Sequence, residues 1–468
     1  MPNLKKKRKK KKRKKKIIKI RKIKMEKKEN QKSLKIIFLE KTLRFMARAV
    51  LKKYKPKIVG ITGSVGKSSS KEAIFSVLTE HFNVRKNEKN YNNEIGLPLS
   101  IIGSLAGGRS VGKWLKVLTR WIGIIVFPVK YPEILILEMG ADRPGDIKYL
   151  TEFIKCQIAV VTDISGSHLE YFKTLNGIAK EKLSLVENIS SDGSVAVNID
   201  NPYIFKFCNH PKNKEKKFVT FGFSPEAEAR ATDIFYNYNG QGTEGIKGLS
   251  FKLNHKGTTI PVRLNGVLAR HSIYAALSAI SVGIVLGINL VEIAKSLENF
   301  SLPPGRMTLI SGIKNSFIID DTYNASPVST LAAFQAFKEI KATRKIAVLG
   351  DMLELGLDTE EGHKKVAQEF LDIKGDIFFA VGQRMKMGAF GVFSQEENQE
   401  KIFFFSDVFS AGKKLQEIIR PGDLILVKGS QGMRMEKVVE EVMAEPMKAS
   451  KLLCRQEIAW KKILVKKV

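Results

Sequence analysis

From Lys57 onward the chain alternates between short apolar runs of strand length and longer stretches with helical spacing. The first such runs are Ile58–Ile61, Ile134–Leu137, Ile158–Val161 and Val195–Val197. Near-continuous apolar strands separated by helices predict a parallel sheet covered on both faces. Residues 218–263 change the rhythm, being rich in Gly, Thr, Asn and aromatics, and predict antiparallel hairpins added to that sheet. The segment Leu302-Pro303-Pro304-Gly305 reads as a boundary. Beyond it the alternation restarts with Phe317–Ile319, Ile346–Leu349, Ile377–Val381, Ile402–Phe405 and Leu424–Val427. The fold class expected is therefore α/β, with a central domain over 57–302 and a Rossmann-like α/β domain over 303–446.

Three apolar segments leave choices open. In Leu34–Tyr54, Ile36, Leu39, Leu43, Met46, Ala47, Val50 and Tyr54 recur at helical spacing. Such a basic amphipathic helix, over 34–56, either packs on the next domain or lies on an anionic membrane surface. Between Leu105 and Pro132, Trp114, Leu115, Leu118, Trp121, Ile122, Ile125, Val126 and Phe127 are interleaved with Lys113, Lys116, Arg120 and Lys130. That insertion suits a membrane interface, core packing or a partner surface. Ile273–Val291 holds no charged residue and is long enough to span a bilayer. Gly287 as a C-cap, and Asn289 followed three residues on by Glu292, instead predict two helices, the first buried.

Composition sharpens this picture. The 468 residues are 43% apolar, ordinary for a globular protein, but carry a net charge of +33. Residues 1–57 hold 27 Lys/Arg and 3 Glu, so +24 of that charge is local and only +9 belongs to the rest. Residues 1–33 are expected to be a disordered basic tail, and 447–468 a second basic tail. Cys156, Cys208 and Cys454 show no C-x-x-C spacing. This argues against disulfides or zinc and for a reducing, cytoplasmic setting, with contact at a membrane surface left open.

The strongest chemical signal is Gly60-Ile61-Thr62-Gly63-Ser64-Val65-Gly66-Lys67-Ser68-Ser69, between a strand and a helix. Gly63 and Gly66 let backbone N–H groups face a phosphate chain at the helix N-terminus. Lys67 can reach the β/γ-phosphates and Ser68 a Mg²⁺ ion, so a bound nucleotide with Mg²⁺ is expected. Ile61 stands where the usual P-loop has its first Gly. Other polar residues cluster just beyond strands, where open α/β sheets bind ligands: Glu138, His168, Asp320, Asp321, Asp351 and Lys428. Any one of them alone reads equally well as a cap or a surface residue.

In this order the motifs resemble the Mur ligase family, over roughly residues 57–445. The matching runs include Gly63–Lys67, Asn92-Asn93-Glu94-Ile95-Gly96, Glu138-Met139-Gly140-Ala141, His168-Leu169-Glu170 and Ala179-Lys180-Glu181-Lys182. They continue through Arg270-His271, Pro304-Gly305-Arg306, Asp320-Asp321-Thr322-Tyr323-Asn324, Gly350-Asp351-Met352-Leu353-Glu354-Leu355-Gly356 and Lys428-Gly429-Ser430. The resemblance implies an ATP-dependent ligase that activates a carboxylate as an acyl phosphate and joins it to an amine. The small-molecule substrates implied are a UDP-MurNAc-peptide and D-Ala-D-Ala, in cell-wall precursor synthesis.

By the same resemblance Ser68 and Glu138 bind Mg²⁺, His168 binds a second metal, and Lys182 matches a lysine that the family carbamylates. Lys180 is a nearby competitor for that position. Gly63, Ser64, Gly66, Lys67, Ser68, Ser69, His271, Arg306 and Asp321 fall on the ATP side, while Asn92, Asn93, Asn324, Lys428 and Ser430 fall on the substrate side. Three departures stand out. Only a tail and one helix precede the phosphate loop, where the family carries a uridine-binding domain. Ser272 and Ala275 replace the usual asparagines after His271, and Gln431 replaces the usual arginine after Ser430. Alternatives are a related ligase acting on another acid, such as a folate polyglutamylating enzyme, and a P-loop module binding nucleic acid through the basic tail.

Overall fold

The computed structural model describes residues 34–88, 91–108, 110–166, 169–238, 245–394, 401–457 and 460. The basic tail over 1–33 and most of the stretch after 457 lie outside the described residues. Two compact units divide the chain, one of residues 1–56 with 87–131, the other of 57–86 with 132–468.

In the first unit the Leu34–Tyr54 helix buries Leu43, Met46, Ala47 and Val50 and packs against the wholly buried Gly96–Ile102 helix. The insertion forms a helix, Val111–Val126, capped by the Ser110 side chain. Its Trp121 indole donates to Met46 O at 3.0 Å. The Lys53 ammonium donates to the carbonyls of Ile124 and Ile125 at 2.9 Å and of Phe127 at 3.0 Å. A lysine at a helix C-terminus satisfies carbonyls that have no partner within the helix. Tyr54 stacks on Tyr131, with ring centroids 4.6 Å apart. The two segments that the sequence left undecided are thus each other's packing partners.

The second unit contains two sheets. The first is built from β1 (Lys57–Thr62), β2 (Val84–Lys86), β3 (Ile134–Glu138), β4 (Ile158–Val161), β5 (Ser194–Asn198), β6 (Lys217–Gly222), β7 (Ala229–Tyr238), β8 (Ile246–His255) and β9 (Thr258–Asn265). Its order is β2-β3-β1-β4-β5-β6-β7-β8-β9. Only β7–β8 and β8–β9 are antiparallel. The expected hairpins therefore begin one strand late, because β6 pairs parallel with β5. Val59, Ile61, Ile136, Ile158 and Val160 share one core with the Lys67–Leu78 and Ile273–Val285 helices.

The uncharged stretch after Ser272 resolves into a core helix, Ile273–Val285, and a short helix, Leu290–Leu297. Gly287 has φ +75° between them, and Asn289 caps the second by accepting from Val291 N at 2.8 Å. Ser278 and Ser281 can be buried because their hydroxyls donate to Ala275 O and Leu277 O. Among the described residues no helix is long and apolar enough to cross a membrane.

The second sheet comprises β10 (Thr308–Ser311), β11 (Phe317–Asp321), β12 (Arg344–Gly350), β13 (Ile377–Val381), β14 (Ile402–Phe405) and β15 (Asp423–Lys428), ordered β10-β11-β15-β12-β13-β14. All pairs are parallel except the β10 edge. Apolar clusters cover both faces. Ile246, Leu268 and Ala269 join one of these clusters, which links the two sheets. Arg270 pairs with Glu339 at 2.8 Å, and Lys341 N donates to the Tyr238 hydroxyl at 3.1 Å across the same junction.

Candidate active site

The loop between β1 and the Lys67–Leu78 helix is shaped by two glycines. Gly63 has φ +155°, and a Cβ there would lie 2.0 Å from the Thr162 hydroxyl at the end of β4. Gly66, at φ +83°, occupies the N-cap with no side chain closing the helix end. The Ser64 hydroxyl donates to Ser165 O at 2.8 Å and accepts from Ser165 N at 2.9 Å, pinning the loop. The Thr162 hydroxyl donates to Val65 O at 2.6 Å. A fixed loop with free N–H groups at a helix N-terminus is a phosphate cradle. Ser69 sits half-buried in the first helical turn.

Lys67 folds back over this loop, donating to Gly63 O at 2.7 Å and Ser64 O at 3.3 Å. Burial lowers its pKa and Arg306 adds to that effect, while Glu138 and Asp142 oppose it. Parallel pairing sets Ile61 opposite Glu138, so the carboxylate emerges beside the loop. The Ser68 hydroxyl donates to Glu138 Oε2 at 3.0 Å, and Lys71 Nζ lies 3.3 Å from the same oxygen. Sequence reasoning missed Lys71. Its position one helical turn after Lys67 was the available signal, since both then face β3.

Lys182 is buried on the Leu175–Glu187 helix, whereas Lys180 is exposed. The helical phase turns Lys182 inward and Lys180 outward. The Lys182 amine is pushed down to about 8, first by burial and then by the Lys67 charge, against Glu181, Asp142 and Asp163. Glu181 closes the Asp146–Thr151 helix, accepting from Gly145 N at 2.7 Å and Ile147 N at 2.8 Å. Lys67, Lys182, Glu138, Asp142, Asp163 and Arg306 thus form one electrostatic group. Asp142 and Asp163 were not singled out from the sequence, although Asp163 lies just past the end of β4, as the chosen residues do past theirs.

Beside this group lies a second one. Asp321 and Lys428 are register partners at the ends of β11 and β15, and their side chains pair at 2.5 Å. Lys428 also donates to Asn324 O at 2.9 Å, while the Asn324 side chain is exposed. His271 feels the charges of Asp321, Lys428 and Arg306, which connects the two groups. The Arg306 guanidinium stacks over Tyr323, 4.1 Å from its ring centroid.

The tail beyond 446, uninterpreted from sequence, returns beneath this loop. Buried Arg455 donates to Thr322 O at 2.6 Å and Tyr323 O at 3.0 Å, and lies 3.6 Å from Glu436. Cys454 contacts the Thr322 hydroxyl at 3.4 Å. Charge and hydrogen bonding against a loop formed more than a hundred residues earlier leave no periodic trace in sequence.

Asp320 is fully buried, and its Oδ1 accepts from the Thr322 N–H and hydroxyl. Its Oδ2 has no partner among the described residues. Burial, with Asp321 and Glu436 adding, pushes its pKa up to about 7 despite the Thr322 bonds. Between the ordinary carboxyl range and about pH 7 the unfolded chain holds fewer protons at this group than the folded one, so its contribution to stability falls as pH rises. Asp320→Asn, which keeps the Oδ1 acceptor, is therefore expected to raise Tm at pH 8 by about 3 °C or more and to change little at pH 4, measured by calorimetry.

Other residues chosen from sequence hold the scaffold. Ser430 accepts from Leu353 N at 2.8 Å and is buried. Asp351 accepts from Met385 N at 2.8 Å, at the start of the Gln383–Phe393 helix. Asn93 accepts from Ile95 N at 3.2 Å and Gly96 N at 2.9 Å, in the first unit with Asn92. His168 lies outside the described residues.

A phosphate loop, a hydroxyl–carboxylate pair and two basic residues, carried by linked α/β sheets, are the parts of a phosphate-loop enzyme that acts on a nucleotide. Comparison with known proteins makes the assignment specific. The family profile described as Mur ligase middle domain matches residues 124–283, and that described as Mur ligase, glutamate ligase domain, matches 305–431. UDP-N-acetylmuramoyl-tripeptide–D-alanyl-D-alanine ligase of Bacillus subtilis is 29% identical, over 86% of this chain and 80% of its own. The Escherichia coli enzyme of the same name is 28% identical, over 82% and 76%. The MurF ligase of Thermotoga maritima, solved in complex with ADP, superposes with a TM-score of 0.66 at 25% identity, covering 86% of this chain and 83% of its own. MurF of Acinetobacter baumannii shares the fold with a TM-score of 0.71, at 24% identity over 87% and 80%. The chain belongs to the Mur ligase family, whose members form carbon–nitrogen bonds at the expense of ATP.

Proposed function

We propose that this protein joins D-alanyl-D-alanine to a UDP-N-acetylmuramoyl-tripeptide, the reaction named for its relatives. The observation that carries the reading is the convergence of Lys67, Ser68, Glu138, Lys182 and Arg306 at one phosphate-binding loop. A carboxylate is a poor electrophile, and phosphorylation by ATP converts it to an acyl phosphate that an amine can attack. Phosphate then leaves and an amide remains. Lys67 needs only to exchange its loop carbonyls for phosphate oxygens, and with Arg306 it offsets charge on the phosphoryl group in transit.

Ser68 and Glu138 offer one hydroxyl and one carboxylate oxygen 3.0 Å apart beside the loop. Such a hard oxygen set fits Mg²⁺ bound jointly with phosphate and water. When bound, the ion would supply charge neutralisation on the phosphate oxygens. On this reading Asp321 at the end of β11, with His271 from the turn before the Ile273–Val285 helix, would face ATP, while Asn324 and Lys428 would face substrate.

Lys182 is suited to carbamylation. A buried amine with its pKa near 8 has a neutral fraction of about a tenth near pH 7, far above that of an ordinary lysine, and only the neutral amine adds CO₂. The product is an anion, which replaces repulsion with Lys67 by attraction. Lys182→Met is expected to lower turnover about 100-fold or more while Tm holds or rises, because the substitution removes a charge that burial disfavours. Steady-state kinetics and a thermal melt check this, and a Tm loss matching the activity loss would instead make Lys182 a structural residue.

The substrate assignment is tested by ADP release with UDP-muramoyl-tripeptide and D-Ala-D-Ala, each omitted in turn. Release requiring both supports it. Release indifferent to both removes the cell-wall role.

A further inference from the structure

The Val111–Val126 helix carries two apolar stripes where a surface helix needs one. Trp114, Val117, Trp121 and Ile124 face the protein. Leu115, Leu118, Ile122 and Val126 recur at the same helical spacing on another side and stay 42–62% exposed. Phe127, 62% exposed, follows Val126 in this stripe, and Phe45, 65% exposed, adds a further apolar group from the neighbouring helix, its ring centroid 6.2 Å from that of Trp121. An exposed apolar surface of this continuity marks a binding face.

Charge selects the occupant. Residues 95–132 contain five Lys/Arg and no Asp or Glu. Residues 34–54 contain six Lys/Arg and only Glu40, while residues 1–33 add 19 Lys/Arg against two Glu. Lys113, Lys116 and Arg120 are exposed on the same helix as the free stripe. A second copy of this face would meet it with like charge. Nucleic acid would satisfy the charge but leave Leu118, Ile122 and Val126 in water. A bilayer bearing anionic headgroups answers both properties, taking the apolar stripe into its interface while lysine stems reach outward to phosphates.

We propose that the first unit seats this protein on anionic membrane surfaces through the Leu115–Phe127 stripe and Phe45. The proposal is independent of which acid the enzyme activates. It is tested with the full chain and its Leu118→Glu/Ile122→Glu variant, both positions being exposed and remote from the phosphate loop in sequence. Vesicles of phosphatidylcholine, with or without one quarter phosphatidylglycerol, carry acyl-chain bromines that quench tryptophan on insertion. The wild type is expected to lose about a third or more of its fluorescence on the anionic vesicles and little on neutral ones. The variant should sediment with anionic vesicles through its basic tail but show less than a third of that quenching, with ADP release and Tm unchanged. Absence of quenching in the wild type, or equal quenching in the variant, overturns the proposal. So does a stripe-dependent dimer in light scattering, or stripe-dependent binding to a DNA duplex without lipid quenching, each of which assigns the face to another occupant.

Discussion

Lys67→Ala is expected to reduce turnover by about 10²–10³-fold while leaving the fold intact. The side chain makes its two hydrogen bonds to carbonyls of its own loop, so its removal breaks no contact between distant elements. Burial already disfavours its charge, and the loop keeps its shape through Gly63, Gly66 and the Ser64–Ser165 pair. What disappears is a cation delivered to phosphate oxygens as they gain charge. Lys67→Arg should not restore it, because a planar guanidinium cannot occupy the space of a compact ammonium over a tight loop. Phosphate release under saturating substrates, beside a thermal melt, separates the two effects. A rate within a few-fold of the wild type would mean that Lys67 is a loop brace and nothing more.

Glu138→Ala should be equally inactive but, unlike Lys67→Ala, also unstable. Glu138 and Lys71 are both almost wholly buried and lie 3.3 Å apart, so removing the carboxylate takes a counter-charge away from a buried ammonium. Breaking a buried pair on one side costs about 3–5 kcal/mol. The double variant Glu138→Ala/Lys71→Met removes the buried ammonium as well and is expected to recover most of that loss without recovering turnover. Urea unfolding of both variants checks the stability half of this prediction, and ADP release the other half. Should the single variant melt like the wild type, the Glu138–Lys71 pair adds nothing to stability and Glu138 serves chemistry alone.

The sheet architecture was readable because the central parallel strands are buried on both faces and so write unbroken apolar runs, and the partly buried edge strand Ile402–Phe405 writes one too. Ile158–Val161, Ile377–Val381 and Ile402–Phe405 came out with the observed limits. Val84–Lys86 was missed because three residues, two of them basic, carry no such run, and β10 because an antiparallel edge strand needs no apolar continuity. The phosphate loop was legible for a local reason, since strand, glycines and helix are contiguous. Residues whose meaning depends on distant partners were not. Lys71 meets Glu138 across 67 positions of chain, and Arg455 meets Thr322 and Tyr323 across more than 130. Ser430 and Asn93 show the converse, polar residues within conspicuous motifs whose visible bonds hold backbone in place.

Arg455 ties down the carbonyls of Thr322 and Tyr323 from 133 and 132 positions away. During synthesis the loop beside Arg306 therefore leaves the ribosome long before its anchor does. Until residue 455 has cleared the exit tunnel, the nascent chain carries its phosphate loop without the anchor of the Thr322–Tyr323 segment, so full competence for ATP chemistry cannot come before that point.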